Sequence, residues 1–180
     1  SRQSDDEGRV ALYLELARLA QEQLQNPRGA ASHLRNARKL ATRDPEVLQE
    51  LATLHEELGQ WRELAAILVE QAELPEAPLA HRVNLLLRAC RVLLSQLGRD
   101  EEALALCQRV RELAPSEPQT STILAEIYSR REEWGPLAGL LRERIAVESD
   151  PQRLARLHVD MGQLLLEHLA SPEAAATHFE

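Results

Sequence analysis

The strongest constraint on this chain is that it repeats itself. Slid along itself by 73 positions, the distance from Trp61 to Trp134, residues 12–72 match residues 85–145 without a gap. The matching pairs include Leu24/Leu97, Ala30/Ala103, Leu40/Leu113, Pro45/Pro118, Leu51/Leu124, Leu64/Leu137 and Leu68/Leu141. A shift of 72 carries the match further, setting Ala89 on Met161, Leu97 on Leu169 and Ala103 on Ala175. A period of tens of residues means one supersecondary unit built several times, with the core buried between stacked copies. The 73-residue period is too long for one helical hairpin. It divides into two hairpins of about 35–38 residues.

Each unit reads as helix. Leu, Ala, Glu, Arg and Gln dominate, runs of β-branched residues are absent, and aromatics make up 3% of the chain. These are strong helix formers, and the core must come from aliphatic side chains. Leu48, Leu51, Ala52 and His55 stand at i, i+3, i+4 and i+7, the spacing of one helical face. Asn26-Pro27, Asp44-Pro45, Asp150-Pro151 and Ser171-Pro172 place a capping side chain before a proline at the first helical position, and Ser116–Pro118 is a variant. Gly59 and Gly98 follow apolar stretches, as glycines do just beyond a helix C-terminus. The pattern predicts ten helices, near 8–25, 27–43, 45–58, 60–74, 78–97, 100–114, 117–132, 134–147, 151–169 and 172–180. Short loops make neighbours antiparallel.

The stretch "QLGRDEEALALCQRVRELAP" resembles the second half of a tetratricopeptide repeat. That family has a Gly closing helix A, an Ala five residues on, then an aromatic or aliphatic residue, a small residue and a Pro. Gly98, Ala103, Cys107, Val110 and Pro115 occupy those places. "VLQELATLHEELG" supplies the helix A pattern through Leu48, Leu51, Ala52, His55 and Gly59. The departures are regular. Leu64 and Leu137 replace the Ala of helix B in the Trp-bearing units, and Gln25, Glu132 and Ala170 replace the Gly. The first, third and fifth units carry one extra residue before the turn, so short and long units alternate. The resemblance implies an all-α fold, a right-handed superhelix of about five hairpins. It covers residues 1–180 as a single domain, with units near 10–44, 45–82, 83–117, 118–154 and a truncated 155–180. The absence of an initial Met and the ending at "THFE" read as a fragment of a longer protein.

No residues suggest catalysis. The six histidines show no i, i+4 pairing of the kind a helical zinc site uses, so no metal or cofactor is expected. His55 and His158 fall on helix A core positions, which predicts partly buried, hydrogen-bonded imidazoles. Cys90 and Cys107 fall at facing positions of helices A and B in one unit and read as small core fillers. The glutamate pairs 56–57, 101–102 and 132–133 sit near helix ends on solvated faces. No serine–histidine–aspartate pattern, phosphate loop or dinucleotide fingerprint is present. Lys39 is the only lysine, which fits codon bias in a GC-rich, bacterial genome better than chosen bidentate contacts. No run reaches the roughly 18 apolar residues of a membrane span. No signal peptide is visible, so a cytoplasmic location is expected. A formal net charge of −8 disfavours nucleic acid.

What the resemblance implies is a non-catalytic scaffold for a protein or peptide partner, bound on the concave face lined by helix A. By repeat register the contact residues are Arg18 in the first unit, then Gln49, Thr53 and Glu56, then Asn84, Leu87 and Arg91. Thr122 and Glu126 follow in the fourth unit, Arg156 and Gln163 in the fifth. Two readings of the apolar members of this stripe stay open. Leu87 and Val159 are either core of the longer helices or pockets for a peptide with hydrophobic anchors and acidic flanks. An RNA-binding helical repeat, or the regulatory repeat region of a larger enzyme or signalling protein, are the alternative functions. Trp61 and Trp134 are read as packing wedges at the start of helix B, so Trp61→Ala is expected to cost roughly 3–5 kcal/mol if the ring is buried.

Overall fold

Among the described residues, five have positive φ in the left-handed helical range, and they mark the hairpins. They are Gln25 (46°), Gly59 (64°), Gly98 (61°), Glu132 (55°) and Ala170 (47°). Each lies between a helix A and its helix B. In the short units the turn closes by a bond spanning five residues, Gln60 N to His55 O (2.8 Å) and Glu133 N to Tyr128 O (2.8 Å). In the long units it spans six, Asn26 N to Ala20 O (2.8 Å), Arg99 N to Leu93 O (2.9 Å) and Ser171 N to Leu165 O (3.0 Å). The extra residue is therefore taken up in the helix A terminus, while the left-handed residue that reverses the chain is kept. Three of the five positions are not glycine, so their side chains bear the left-handed strain.

The computed structural model describes residues 2–179, with side chains from residue 5. Among the described residues there are ten α-helices and no strand. In order they are α1 (Arg2–Glu22), α2 (Pro27–Leu40), α3 (Pro45–Glu57), α4 (Trp61–Ala72), α5 (Leu79–Ser95), α6 (Asp100–Leu113), α7 (Pro118–Arg130), α8 (Trp134–Val147), α9 (Pro151–Glu167) and α10 (Pro172–Phe179). Residue 180, the end expected for the last helix, lies outside the described residues. Helix α1 starts six residues earlier than the apolar pattern predicts. Its first turns carry Asp5, Asp6 and Glu7, charges that favour a helix N-terminus without contributing to a face. No described helix is long and apolar enough to cross a membrane.

Side chains close the starts as expected, with two changes. Asp44 Oδ1 accepts from Glu46 N and Val47 N, Asp150 Oδ1 from Gln152 N and Arg153 N, and Asn26 Oδ1 from Gly29 N. These bonds hold the Asp150 carboxyl below its ordinary value, the Arg153 N–H contributing most. Before Pro118 it is Glu117, not Ser116, that caps. The Ser171 hydroxyl donates to the Leu169 carbonyl.

The chain divides into two compact units. One ends at Pro115 and holds α1–α6; the other begins at Ser116 and holds α7–α10. Within each, every helix packs on its neighbours in sequence. The first unit buries Ala30, Leu34, Leu48, Leu64, Leu68, Leu86 and Val110 almost completely. The second buries Ala138, Leu141, Leu157, Met161, Leu164 and Ala175 as one cluster, with Trp134, Leu137, Ile145 and Leu169 packed around it. Trp134 also stacks on His168 at 3.7 Å between centroids and 12° between planes. The ring is thus a wedge between the fourth and fifth hairpins. Trp61 is half-buried and lies across Gly59 at its own turn. Neither indole is fully buried, so the larger truncation cost does not apply.

Candidate functional site

The odd helices of the first unit present the predicted stripe. On α3, Glu46, Gln49, Thr53 and Glu56 are all exposed, because Val47, Leu48, Leu51, Ala52 and Leu54 take the buried side. The long helices differ. On α5, Asn84 and Arg91 are exposed, but Leu87 is 2% exposed and Leu94 4%. Leu14 on α1 is buried as well. α5 packs against both α4 and α6, so its longer apolar face goes into the core. Leu87 is thus a core residue and cannot line a pocket. In the second unit Thr122, Glu126, Arg156 and Gln163 are exposed, and Val159 remains 44% exposed.

Between α1 and α3 lies a cleft of about 510 Å³, lined by Arg18, Gln21, Glu50, Thr53 and Glu57 among others. A second, of about 630 Å³, is floored by Val10, Leu14 and Leu40 and walled by Asp6, Glu7, Asp44 and Glu46. A third, of about 880 Å³, is lined in part by Gln49, Gln71, Pro75 and His81. The side chain of Gln71 is buried and donates to Gln49 Oε1 at 3.3 Å.

The charges of these helices are already organised. Arg18 donates from Nε to Glu50 (2.8 Å) and from Nη2 to Glu50 (2.7 Å) and Glu46 (2.8 Å). Its pKa is raised, the Glu50 hydrogen bond contributing most and that of Glu46 next. Gln21 donates to Glu57 (2.9 Å), and Arg88 of α5 pairs with Glu56. The even helices repeat the pattern, with Arg38 on Glu70 (2.5 Å) and Arg109 on Glu73 (3.2 Å). Long units contribute arginine and the short unit between them contributes glutamate. Over the first three repeats the alternation visible in the sequence is therefore an inter-repeat charge ladder. The feature that could have revealed it is the spacing of the pairs, 28, 32 or 36 residues, about one repeat length.

Among the described residues no three His, Cys, Asp or Glu side chains gather as a metal set. His55 Nδ1 meets Gln60 Oε1 at 2.7 Å, and His158 Nδ1 meets His178 Nδ1 at 2.9 Å. Both imidazoles on helix A core positions are partly buried and bonded. Cys90 and Cys107 face each other inside the third hairpin with their Sγ atoms 3.6 Å apart. Their shared hydrogen bond, helped by burial, holds the Cys90 thiol well above the ordinary range. The same contact lowers the Cys107 thiol from its ordinary value, against the effect of burial.

Hairpins joined at left-handed turns, with Ala30, Ala103, Ala138 and Ala175 fully buried on their B helices, define a tetratricopeptide-like helical repeat. Solved structures bear this out. YrrB, described as a TPR protein with an unusual peptide-binding site, is 14% identical, covers 92% of this chain and 80% of its own, and superposes with a TM-score of 0.56. MamA from Desulfovibrio magneticus RS-1 is 18% identical over 95% of this chain and 91% of its own, with a TM-score of 0.54. Pseudomonas aeruginosa PilF is 17% identical over 94% and 72%, with a TM-score of 0.52. At such identities the likeness is one of fold. The sequence matches no protein-family model and no curated protein.

Proposed function

We propose that this chain is a non-catalytic interaction scaffold that receives a protein or peptide segment along its helix A faces. The carrying observation is the open face of α3, where Gln49, Thr53 and Glu56 stand exposed beside the α1–α3 cleft. A peptide-binding site in one protein of similar fold, YrrB, supports the reading. Arg18 is engaged by two glutamates and Arg88 by a third, so the first unit offers no acid-seeking clamp at Arg18. Carboxylates outnumber these arginines on α3 and its flanks. The partner's flanks are then cationic, unlike the acidic flanks carried by one of the two open sequence readings, because opposite potentials favour encounter and like charges oppose it. The same carboxylates oppose an RNA backbone. Asn84 and Arg91 extend the surface on α5. Thr122 and Glu126 on α7, with Arg156 and Gln163 on α9, are the corresponding positions of the second unit. The reading of residues 1–180 as one repeat domain belongs to the same proposal.

Crosslinking and mass spectrometry on the full-length protein in its own cell tests it. A specific protein partner crosslinked near α1 and α3, and lost from the Gln49→Arg/Thr53→Arg/Glu56→Arg variant, is the expected result. Recovery of RNA alone, or of a partner indifferent to that variant, overturns it.

A further inference from the structure

The third hairpin contains a buried pair of thiols that the scaffold function does not use. Cys90 on α5 and Cys107 on α6 are both 0% exposed, 17 residues apart in sequence, with 3.6 Å between Sγ atoms. The Cys90 thiol also lies 3.6 Å from the Ala103 carbonyl, so both sulfurs are held in one short hydrogen-bonded chain across the helix interface. Two small hydrophobic fillers need only pack; they need not point at each other. Here the side chains converge, and a disulfide would require closing about 1.5 Å, from 3.6 Å to an S–S bond of about 2 Å.

We propose that Cys90 and Cys107 are a peroxide-sensitive modification site, forming an intramolecular disulfide that staples α5 to α6. The oxidant is hydrogen peroxide, a two-electron oxidant close to water in size. The Cys107 thiolate attacks one peroxide oxygen, the O–O bond breaks, and hydroxide leaves to take up the proton that Cys107 released. The resulting Cys107 sulfenic acid is attacked by Cys90 sulfur. The S–S bond forms, the S–O bond breaks, and the departing hydroxide collects the Cys90 proton. Two thiols and one peroxide become one disulfide and two waters. The two sulfurs touch, so the same disulfide results whichever of them meets the peroxide first. Burial makes the first step slow, since peroxide reaches the pair only as the hairpin breathes. It makes the second step fast, because the resolving sulfur is already in place.

The bond would close a 17-residue loop and restrict the unfolded chain. It would also draw α5 towards α6 beside Arg91, an exposed residue of the proposed binding face.

The test is to treat the folded protein with hydrogen peroxide, quench, block remaining thiols under denaturing conditions and measure the intact mass. The expected product has lost two hydrogens, resists alkylation at both cysteines, and gives a crosslinked Cys90–Cys107 peptide that dithiothreitol separates. Its melting temperature rises by about 5 °C or more over the reduced form. The Cys90→Ser variant should accumulate sulfenic or sulfinic acid at Cys107 and gain no heat stability. Thiols that remain fully alkylatable, a disulfide between two chains, or crosslinking only in denaturant would each overturn the proposal. Because no partner is involved, the outcome is independent of the binding face.

Discussion

At the level of single residues, the five left-handed turn positions behave as one structural site occupied by different side chains. Gly59 and Gly98 meet the requirement without strain, whereas Gln25, Glu132 and Ala170 do not. An added Cβ at Gly98 would touch nothing within 4 Å, so replacement there isolates the backbone effect. Gly98→Ala is expected to lower stability by about 1 kcal/mol, and Ala170→Gly to raise it by a similar amount. Urea unfolding of both variants checks the pair, and equal signs would show that packing rather than φ governs the turns. Trp134 is the other decisive residue. It is only partly buried but joins the cluster of the second unit and stacks on His168. Trp134→Ala should cost about 2–3 kcal/mol, less than full burial would demand. Trp61→Ala should cost less still, because that half-buried ring rests on its own turn. Equilibrium denaturation of the two variants gives the comparison.

Among the helices, α10 depends on a titratable contact. It is eight residues long, too short to persist alone, and reaches α9 through Ala175, Phe179 and the His158–His178 bond. Two Nδ1 atoms at 2.9 Å can share one proton but cannot both be protonated. Desolvation first, then the charges of His158 and Arg142, depress His178 below its ordinary 6.5. A depressed histidine pKa means that the unfolded helix binds the proton more readily. The contact is therefore at full strength above pH 6.5 and weakens as pH falls through the folded value. Amide exchange in α10, corrected for intrinsic rates, should accelerate relative to α9 between pH 7.5 and 5.5. His178→Gln should abolish that dependence.

Across the first three repeats, alternation of short and long repeats becomes alternation of charge. Arg38–Glu70 and Arg109–Glu73 tie the second repeat to its neighbours on the even helices, as Arg18 and Arg88 do on the odd ones. Each exposed pair contributes little alone, but all of them select the same neighbour type. Reversing Glu70 and Glu73 to arginine should lower the melting temperature by roughly 3–6 °C. Adding Arg38→Glu and Arg109→Glu should restore it. Failure of the second pair to rescue would show that the ladder does not set repeat order.

Sequence alone determined the number and order of the helices, their proline starts, the 73-residue period and the repeat fold, because these follow from local spacing and turn chemistry. The lengths of the helix ends were less legible. Polar turns such as residues 2–7 carry no apolar face from which to judge them. Only the tertiary structure decided which stripe residues face outward. Leu87 and Val159 occupy the same register position, yet one is 2% exposed and the other 44%, because burial depends on what neighbouring helices cover. It alone paired Arg18 with Glu46 and Glu50, some thirty residues away. Helix propensity acts over a few residues and is written in the chain. Charge pairing and burial act between repeats and exist only once the hairpins are stacked.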